Sequence, residues 1–455
     1  MKGPKVVLIG AASAFFGRQT IWSMVSKEAL CSGTLSLVDP DTRKLKWMEK
    51  IARRVIDATS ASLKLEVATD YRKVLKGADF VILAFAVEGV KYRGIDADIS
   101  TKHGMIMCSA DTIGPGGTMR TLREIPRQHR ILKDVEKICP DAWVVNWVNP
   151  TSAMGIAMMR YFPKLKTMAL CDGPPRTNNN LIVTAGLASS PEKITPAIRR
   201  RTKIRCGGVN HFTWLVEMTY GGRDVTDKIK QTMLRDSQKQ HIASSEAGKA
   251  ALTNKIGSQI AEAVGFVPTC VWHTQEYLPY FQGHDVNRKN ALKIRKWSIE
   301  TRRKWMRECW QDMQHIASGK RAIEEFLNET TPDHASNIIE SMWAGLNKRF
   351  YINTRNNGAV TNMVDDAFLE IPCTVDMNRV HPLAFGEMPR PLPGFMQRVL
   401  DEHELAVEAA MTCDRNILRR AFLASMVAVS IPDVEACMSD MLRRERSVLP
   451  KRWFK

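Results

Sequence analysis

The chain has 455 residues, 44% hydrophobic and 25% charged, an ordinary globular balance with enough length for two domains. No run approaches the roughly 18 apolar residues of a spanning helix, and the apolar stretch after Lys5 is too short for a secretory signal. The sequence therefore predicts a cytoplasmic protein without a membrane partner. The net charge is +18, from 66 basic and 48 acidic residues. The basic residues are spread along the chain with no zinc-finger, RNP or basic-zipper pattern, which argues against a nucleic-acid partner and leaves a solvated face as the first reading, with attraction of a small anionic substrate the second. The ten cysteines are scattered without a CxxC pair, as in a reducing compartment.

Residues 6–9 read as a short apolar strand, 10–16 as a turn and 18–25 as a helix. A second strand, 35–38, ends at Asp39. Residues 41–58 have helical spacing, with Leu45, Trp47, Met48, Ile51 and Ile56. A third strand at 66–69 precedes a small helix at 71–75, and 80–85 is a buried strand. Residues 120–139 read as a helix with a break at Ile125-Pro126. The strand 143–148 ends at Asn149-Pro150, 151–161 is a Met-rich helix, and the strand 167–170 ends at Cys171. This alternation predicts an α/β protein whose N-terminal domain, residues 1–198, is a doubly wound parallel sheet of the Rossmann type. Beyond about residue 200 the alternation fades. Helices are expected at 242–264, 296–317, 333–347 and 399–429, with short strands at 212–218 and 359–363. The C-terminal domain, 199–455, is therefore expected to be mixed α+β and to carry catalytic, substrate and oligomerisation surfaces.

The segment Gly10-Ala11-Ala12-Ser13-Ala14-Phe15-Phe16-Gly17 lies between a strand and a helix. Backbone N–H groups at such a helix start can cradle a pyrophosphate. Gly10, Ala12, Ser13 and Phe15 are the candidate contacts, although Ala12 stands where a second glycine is usual. Asp39 ends the next strand, where an acid can bind a ribose 2′-hydroxyl; this points to NAD, with Arg43 and Lys44 leaving NADP open. The gap from Gly10 to Asp39 exceeds the usual spacing of about 20 residues, which an extended first helix would absorb.

Three further segments concentrate polar groups. They are Asn146-Trp147-Val148-Asn149-Pro150, Cys171-Asp172-Gly173-Pro174-Pro175 and Gly208-Val209-Asn210-His211-Phe212-Thr213-Trp214. Ligands gather at the carboxyl ends of parallel strands, so Asn149, Cys171 and Asp172 are expected beside the nicotinamide, with His211 reaching them from the second domain. Cys171 and His211 together suit a divalent transition metal.

These motifs resemble glycoside hydrolase family 4, a group of NAD- and metal-dependent glycosidases with a sister group of NAD-dependent sulfoquinovosidases. The Cys-plus-polar pair and the G-x-N-H-x-x-W stretch carry the resemblance. Asp111-Thr112-Ile113-Gly114-Pro115-Gly116-Gly117 resembles the α-galacturonidase branch. Residues 353–362 and Glu370-Ile371-Pro372 resemble the family's C-terminal segment.

The resemblance implies a glycosidase outside the two-carboxylate scheme. NAD takes a hydride from C3, a base removes the acidified C2 proton, the aglycone leaves C1, water adds, and the hydride returns. It implies a divalent metal, Mn²⁺ first, on Cys171 and His211. It also implies Asp172 as acid for the leaving group, and Asn149, Asn210, Asp111 and Arg93 as substrate contacts. The C2 base falls in Val271-Trp272-His273-Thr274-Gln275-Glu276-Tyr277, with His273 the first candidate and Tyr277 the second. Asp172 and Arg93 match phospho-specific members and the Asp111 segment matches the uronic-acid branch. The implied substrate is therefore an anionic 6-phospho, uronic or sulfo glycoside, with a neutral hexoside the alternative. The family suggests a homodimer or homotetramer. A lactate/malate-type dehydrogenase and a catalytically inactive binding protein are the competing readings.

Overall fold

In a computed structural model of the chain, which describes residues 2–237, 246–282, 294, 296–331, 333–428 and 430–455, the first half alternates strand and helix. The elements are β1 (Lys5–Ile9), α1 (Phe16–Ser26), β2 (Thr34–Val38), α2 (Thr42–Thr59), β3 (Lys64–Ala68), β4 (Phe80–Leu83), α3 (Gly89–Lys102), α4 (Gly114–Ile138), β5 (Trp143–Asn146), α5 (Thr151–Tyr161), β6 (Lys166–Ala169) and α6 (Gly173–Thr184). The six strands pair in parallel in the order β3-β2-β1-β4-β5-β6. This is the doubly wound Rossmann arrangement, with the order reversing between β1 and β4. β1, β4 and β5 are almost wholly buried, which is why they read as continuous apolar runs. α2 shows the local logic well. Asp41 caps its first turn by accepting the Lys44 N–H at 3.1 Å, and Leu45, Met48, Ile51, Ala52 and Val55 form its buried stripe.

The second half contains α7 (Pro196–Arg201), β7 (Thr202–Val209), β8 (Phe212–Tyr220), β9 (Arg223–Asp224), α8 (Thr226–Ser237), α9 (Glu246–Val264), β10 (Val267–Pro268) and α10 (Val271–Tyr277). It continues with α11 (Ile299–Ser318), α12 (Ile323–Glu329), α13 (His334–Trp343), β11 (Phe350–Arg355), β12 (Phe368–Val375), β13 (Val380–Pro382), α14 (Leu392–Thr412), α15 (Arg415–Ala424) and α16 (Ile431–Arg444). β11 joins β6 antiparallel at Asn353 and Ala169, and β12, β7, β8 and β10 follow. One sheet therefore runs through both halves, and its join brings the β7–β8 turn to the carboxyl ends of β5 and β6. The boundary the sequence predicts at 198/199 lies within α7. Among the described residues, no helix is long and apolar enough to cross a membrane.

Several elements depart from the sequence expectations. α1 is an 11-residue helix, not an extended one; the extra residues before Asp39 form the turn at 27–33. α3 escapes periodicity reasoning because polar Asp96 and Ser100 share its buried face with Tyr92 and Ala97. Asp96 is tolerated there because Arg123 pairs with it at 2.7 Å. α4 starts at Gly114, six residues earlier than expected, and runs through Pro126 without ending. Residues 359–363 form a turn with one isolated bridge, Val360 to Gly386, rather than a strand. The expected helix 399–429 is two helices, parted where Cys413 turns left-handed (φ +59°) and Asp414 caps α15. Residues 242–245 and 429 of the expected helices lie outside the described residues.

Candidate active site

At the end of β1 the chain turns through Gly10 at φ +100°, where a Cβ would meet the Ala84 carbonyl carbon at 2.5 Å. Gly10 and Ala11 donate their N–H groups to the Val38 carbonyl at 2.9 and 3.0 Å. The Ser13 hydroxyl accepts the Phe16 N–H at 3.0 Å and sets the start of α1. Gly17 allows that helix to approach the loop, since a Cβ there would lie 2.3 Å from the Ala11 oxygen. The Asp39 carboxylate accepts the Ala12 N–H at 3.1 Å and the Asp41 N–H at 2.9 Å. It thus clamps the loop from the end of β2, and burial raises its pKa. Tight turn, close helix approach and acid at the strand end together fit a dinucleotide cradle. Phe15 leads from it into the neighbouring cavity.

That cavity, about 550 Å³, lies over the carboxyl ends of β5 and β6. Arg93, Asp111, Asn149, Cys171, Asp172, His211 and His273 all line it. His211 arrives through a two-residue turn between the paired Val209 and Phe212, at φ +62°. Its Nε2 lies 3.7 Å from the Cys171 sulfur. A thiol and an imidazole from positions 40 apart thus face one another with donor chemistry suited to a divalent transition metal. Burial, with Glu370 nearby, pushes the Cys171 thiol up. Burial and the neighbouring Asp333 raise the Asp172 carboxyl to about 6.

His273 stacks on His211 with ring centroids 3.8 Å apart, and its Nδ1 lies 3.5 Å from a Glu276 oxygen. Burial and the adjacent His211 lower its pKa, favouring the neutral ring. Tyr277 is placed differently. It is fully buried, its ring stacks on Phe212, and its hydroxyl donates to the Asn210 carbonyl at 3.2 Å. Asn210 is also buried, and its amide donates to Glu370 at 3.1 Å. Neither Tyr277 nor Asn210 is among the residues lining the cavity.

Asp111 meets two guanidinium groups, Arg93 at 3.1 Å and Arg120 at 3.0 Å, and Arg120 also lies 3.7 Å from Glu124. Burial alone would raise this carboxyl, but the two arginines outweigh it and hold it well below the usual carboxylate range. The Ser109 hydroxyl donates to Asp111, and the Asn149 amide reaches it at 3.4 Å. Arg93 also donates to Ser109 and lies over the Trp297 ring, 4.8 Å from its centroid.

Sequence reasoning assigned no role to Arg120, Ser109, Glu276, Cys270 or Glu370. Glu370 accepts from the side chains of Asn210 and Asn353, at 3.1 and 2.8 Å, and so braces the turn carrying His211. Its only signal was the Glu370-Ile371-Pro372 segment, and Glu276 lay without a role inside the Val271–Tyr277 segment; Arg120, Ser109 and Cys270 had no signal.

Residues 5–186 match the family 4 glycosyl hydrolase profile, and residues 206–427 match the family 4 glycosyl hydrolase C-terminal domain. An α-galactosidase of Bacillus subtilis (strain 168) is 28% identical over 98% of this chain and 99% of its own. An α-galacturonidase of the same organism is 25% identical over 96% of this chain and 97% of its own. The crystal structure of a 6-phospho-α-glucosidase from gut microorganisms, in complex with NAD and Mn²⁺, superposes with a TM-score of 0.81. That pair is 19% identical and the match covers 99% of each chain.

Proposed function

The chain belongs to family 4 of the glycosyl hydrolases, and from that premise we propose that it is an NAD-dependent glycosidase acting on an anionic glycoside. One observation carries the reading: Cys171 and His211 meet within one cavity that also holds Asn149 and Asp172 and borders the Gly10–Phe15 loop. The loop, with Asp39 and Asn149, would hold NAD, and Cys171 and His211 would hold a divalent metal. Bound there, NAD would supply reversible hydride transfer at C3 of the sugar, and the metal would supply Lewis acidity toward the sugar oxygens.

The chain's own residues supply the proton chemistry. His273 is neutral near pH 7 and takes the proton from C2, with a Glu276 oxygen 3.5 Å from its Nδ1. Asp172, raised to about 6, keeps a proton long enough to give it to the departing aglycone oxygen. Tyr277, with its hydroxyl committed to the Asn210 carbonyl, supports the His211 turn. Asn149 hydrogen-bonds the sugar hydroxyls.

The preference for an anion rests on Arg93, which lines the cavity beside Asp111, while Arg120, outside the lining, is held between Asp111 and Glu124. A guanidinium binds phosphate, carboxylate or sulfonate oxygens in pairs. The α-galacturonidase relative acts on a uronic acid by its name. The test is hydrolysis of nitrophenyl glycosides bearing phosphate, carboxylate or sulfonate at C6, beside neutral hexosides, with and without NAD. The expected result is cleavage that requires NAD yet accumulates no NADH. Stoichiometric NADH release would instead mark a dehydrogenase, and faster cleavage of neutral sugars would remove the anion preference.

A further inference from the structure

His211 has a thiol on each of two neighbouring segments. Cys171, after β6, places its sulfur 3.7 Å from Nε2 and 3.9 Å from Nδ1 of the ring. Cys270, just before α10, places its sulfur 3.8 Å from the same Nδ1. The donor atoms of His211, Cys270 and His273 all lie within 4.8 Å of one another. A sulfur at about 2.3 Å and an imidazole nitrogen at about 2.0–2.1 Å from one tetrahedral ion stand about 3.5 Å apart. Taken with His211 alone, each thiol is within a few tenths of an ångström of that spacing from Nδ1.

Cys270 is held in place from both sides. β10 pairs antiparallel with β8, and the Thr269 N–H donates to the Thr213 carbonyl at 2.9 Å, which fixes the segment beside the β7–β8 turn. On the other side the Cys270 carbonyl accepts the Thr274 N–H at 2.9 Å in the first turn of α10. Resting on the metal-dependent reading above, we propose that Cys270 is a third protein ligand, so that Cys171, His211 and Cys270 form a two-sulfur, one-nitrogen set. Three protein donors leave a fourth position open, the pattern of catalytic rather than structural sites, and a Cys₂His set of this kind is known for zinc. Two thiolates also alter which metal is taken. Soft sulfur donors favour Zn²⁺ and Co²⁺ over Mn²⁺, which prefers oxygen ligands and stands lowest in the divalent affinity series. His273 remains outside the set as the stacked neighbour of His211, free to act as a base.

The test uses the full chain, stripped with a chelator under reducing conditions and titrated with Co²⁺. Thiolate-to-cobalt charge transfer in the near ultraviolet scales with the number of sulfur ligands. The wild type is expected to show about twice the intensity per bound ion of either Cys270→Ser or Cys171→Ser, with Cys31→Ser unchanged. Cys270→Ser should also weaken Zn²⁺ binding at least tenfold and narrow the Zn²⁺-over-Mn²⁺ preference, since even changes beside a ligand cost about 10–100-fold. X-ray absorption on the zinc-loaded wild type gives the same count without a mutation, two sulfurs or one. A single sulfur scatterer, or full charge transfer in Cys270→Ser with its loss in Cys171→Ser, overturns the third ligand and leaves the proposed function standing. Absence of stoichiometric Co²⁺ binding in the wild type overturns the metal reading itself.

Discussion

Replacing Asp172 with alanine should remove one limb of the pH profile, and only for poor leaving groups. Burial and Asp333 raise this carboxyl from 3.8 to about 6, a rise of about two units, which penalises the carboxylate by about 3 kcal/mol. At pH 5 about nine-tenths of the enzyme would carry the proton, at pH 7 only about one-tenth. The rate on an alkyl glycoside, whose departing oxygen needs a proton, should therefore fall about tenfold per unit above pH 6. His273, with its pKa lowered by burial and by His211, sets the opposite limb: it becomes protonated, and useless as a base, only below its ordinary 6.5. The expected profile is a bell whose alkaline limb lies near pH 6. The assay is kcat/KM against pH for one sugar carrying either an alkyl or a nitrophenyl aglycone. Asp172→Ala should lose about 10²–10⁴-fold on the alkyl substrate, the usual yield of general acid catalysis, and little on the nitrophenyl one. An alkaline limb that survives in Asp172→Ala, or an equal loss on both aglycones, refutes the assignment of this proton.

Arg93→Ala should weaken kcat/KM for a C6-charged glycoside by about 10–100-fold, the worth of a charge-assisted hydrogen bond of about 1.5–3 kcal/mol, and spare the neutral analogue; equal losses on both would mean that Arg93 merely braces Asp111. Asp39→Ala removes the acceptor that holds the Ala12 N–H, a hydrogen bond to a charged group worth about 1.5–3 kcal/mol, so NAD affinity measured by fluorescence titration should drop at least about tenfold; unchanged affinity would free Asp39 of any cofactor role. Glu402 lies wholly buried in α14, accepts the Gly114 N–H at 2.6 Å, and burial raises its pKa from 4.5 to about 8. Because the folded pKa is the higher one, its stability contribution is present below pH 4.5 and is lost as pH rises toward 8, by on the order of 5 kcal/mol. Glu402→Gln should therefore melt near the wild type at pH 5 and well above it at pH 8; parallel melting curves across that range would contradict a protonated Glu402.

The parallel half of the fold was readable because its signals are local. Apolar runs such as Val6-Val7-Leu8-Ile9 mark doubly buried strands, and the polar residues that follow each run mark the ligand-facing ends. Asn149, Cys171 and Asp172 could be assigned to one side of a cavity on that basis alone. α3 and the start of α4 were not readable, because their buried faces mix glycine, arginine and carboxylates whose burial depends on partners elsewhere. The helix break at Cys413 was hidden for a related reason: a left-handed cysteine carries no turn signature of its own.

By itself the sequence determined the parallel sheet, the loop at Gly10 and the strand-end residues, since each depends on neighbours a few positions away. Only the tertiary structure decided which distant groups share the cavity. Glu370 lies 160 positions from the Asn210 it anchors, Cys270 59 positions from His211, and Arg120 meets Asp111 across the bend that opens α4. The first two of these contacts are made by the antiparallel strands that extend the sheet past β6, and long-range pairing leaves no periodicity in the chain from which it could be read.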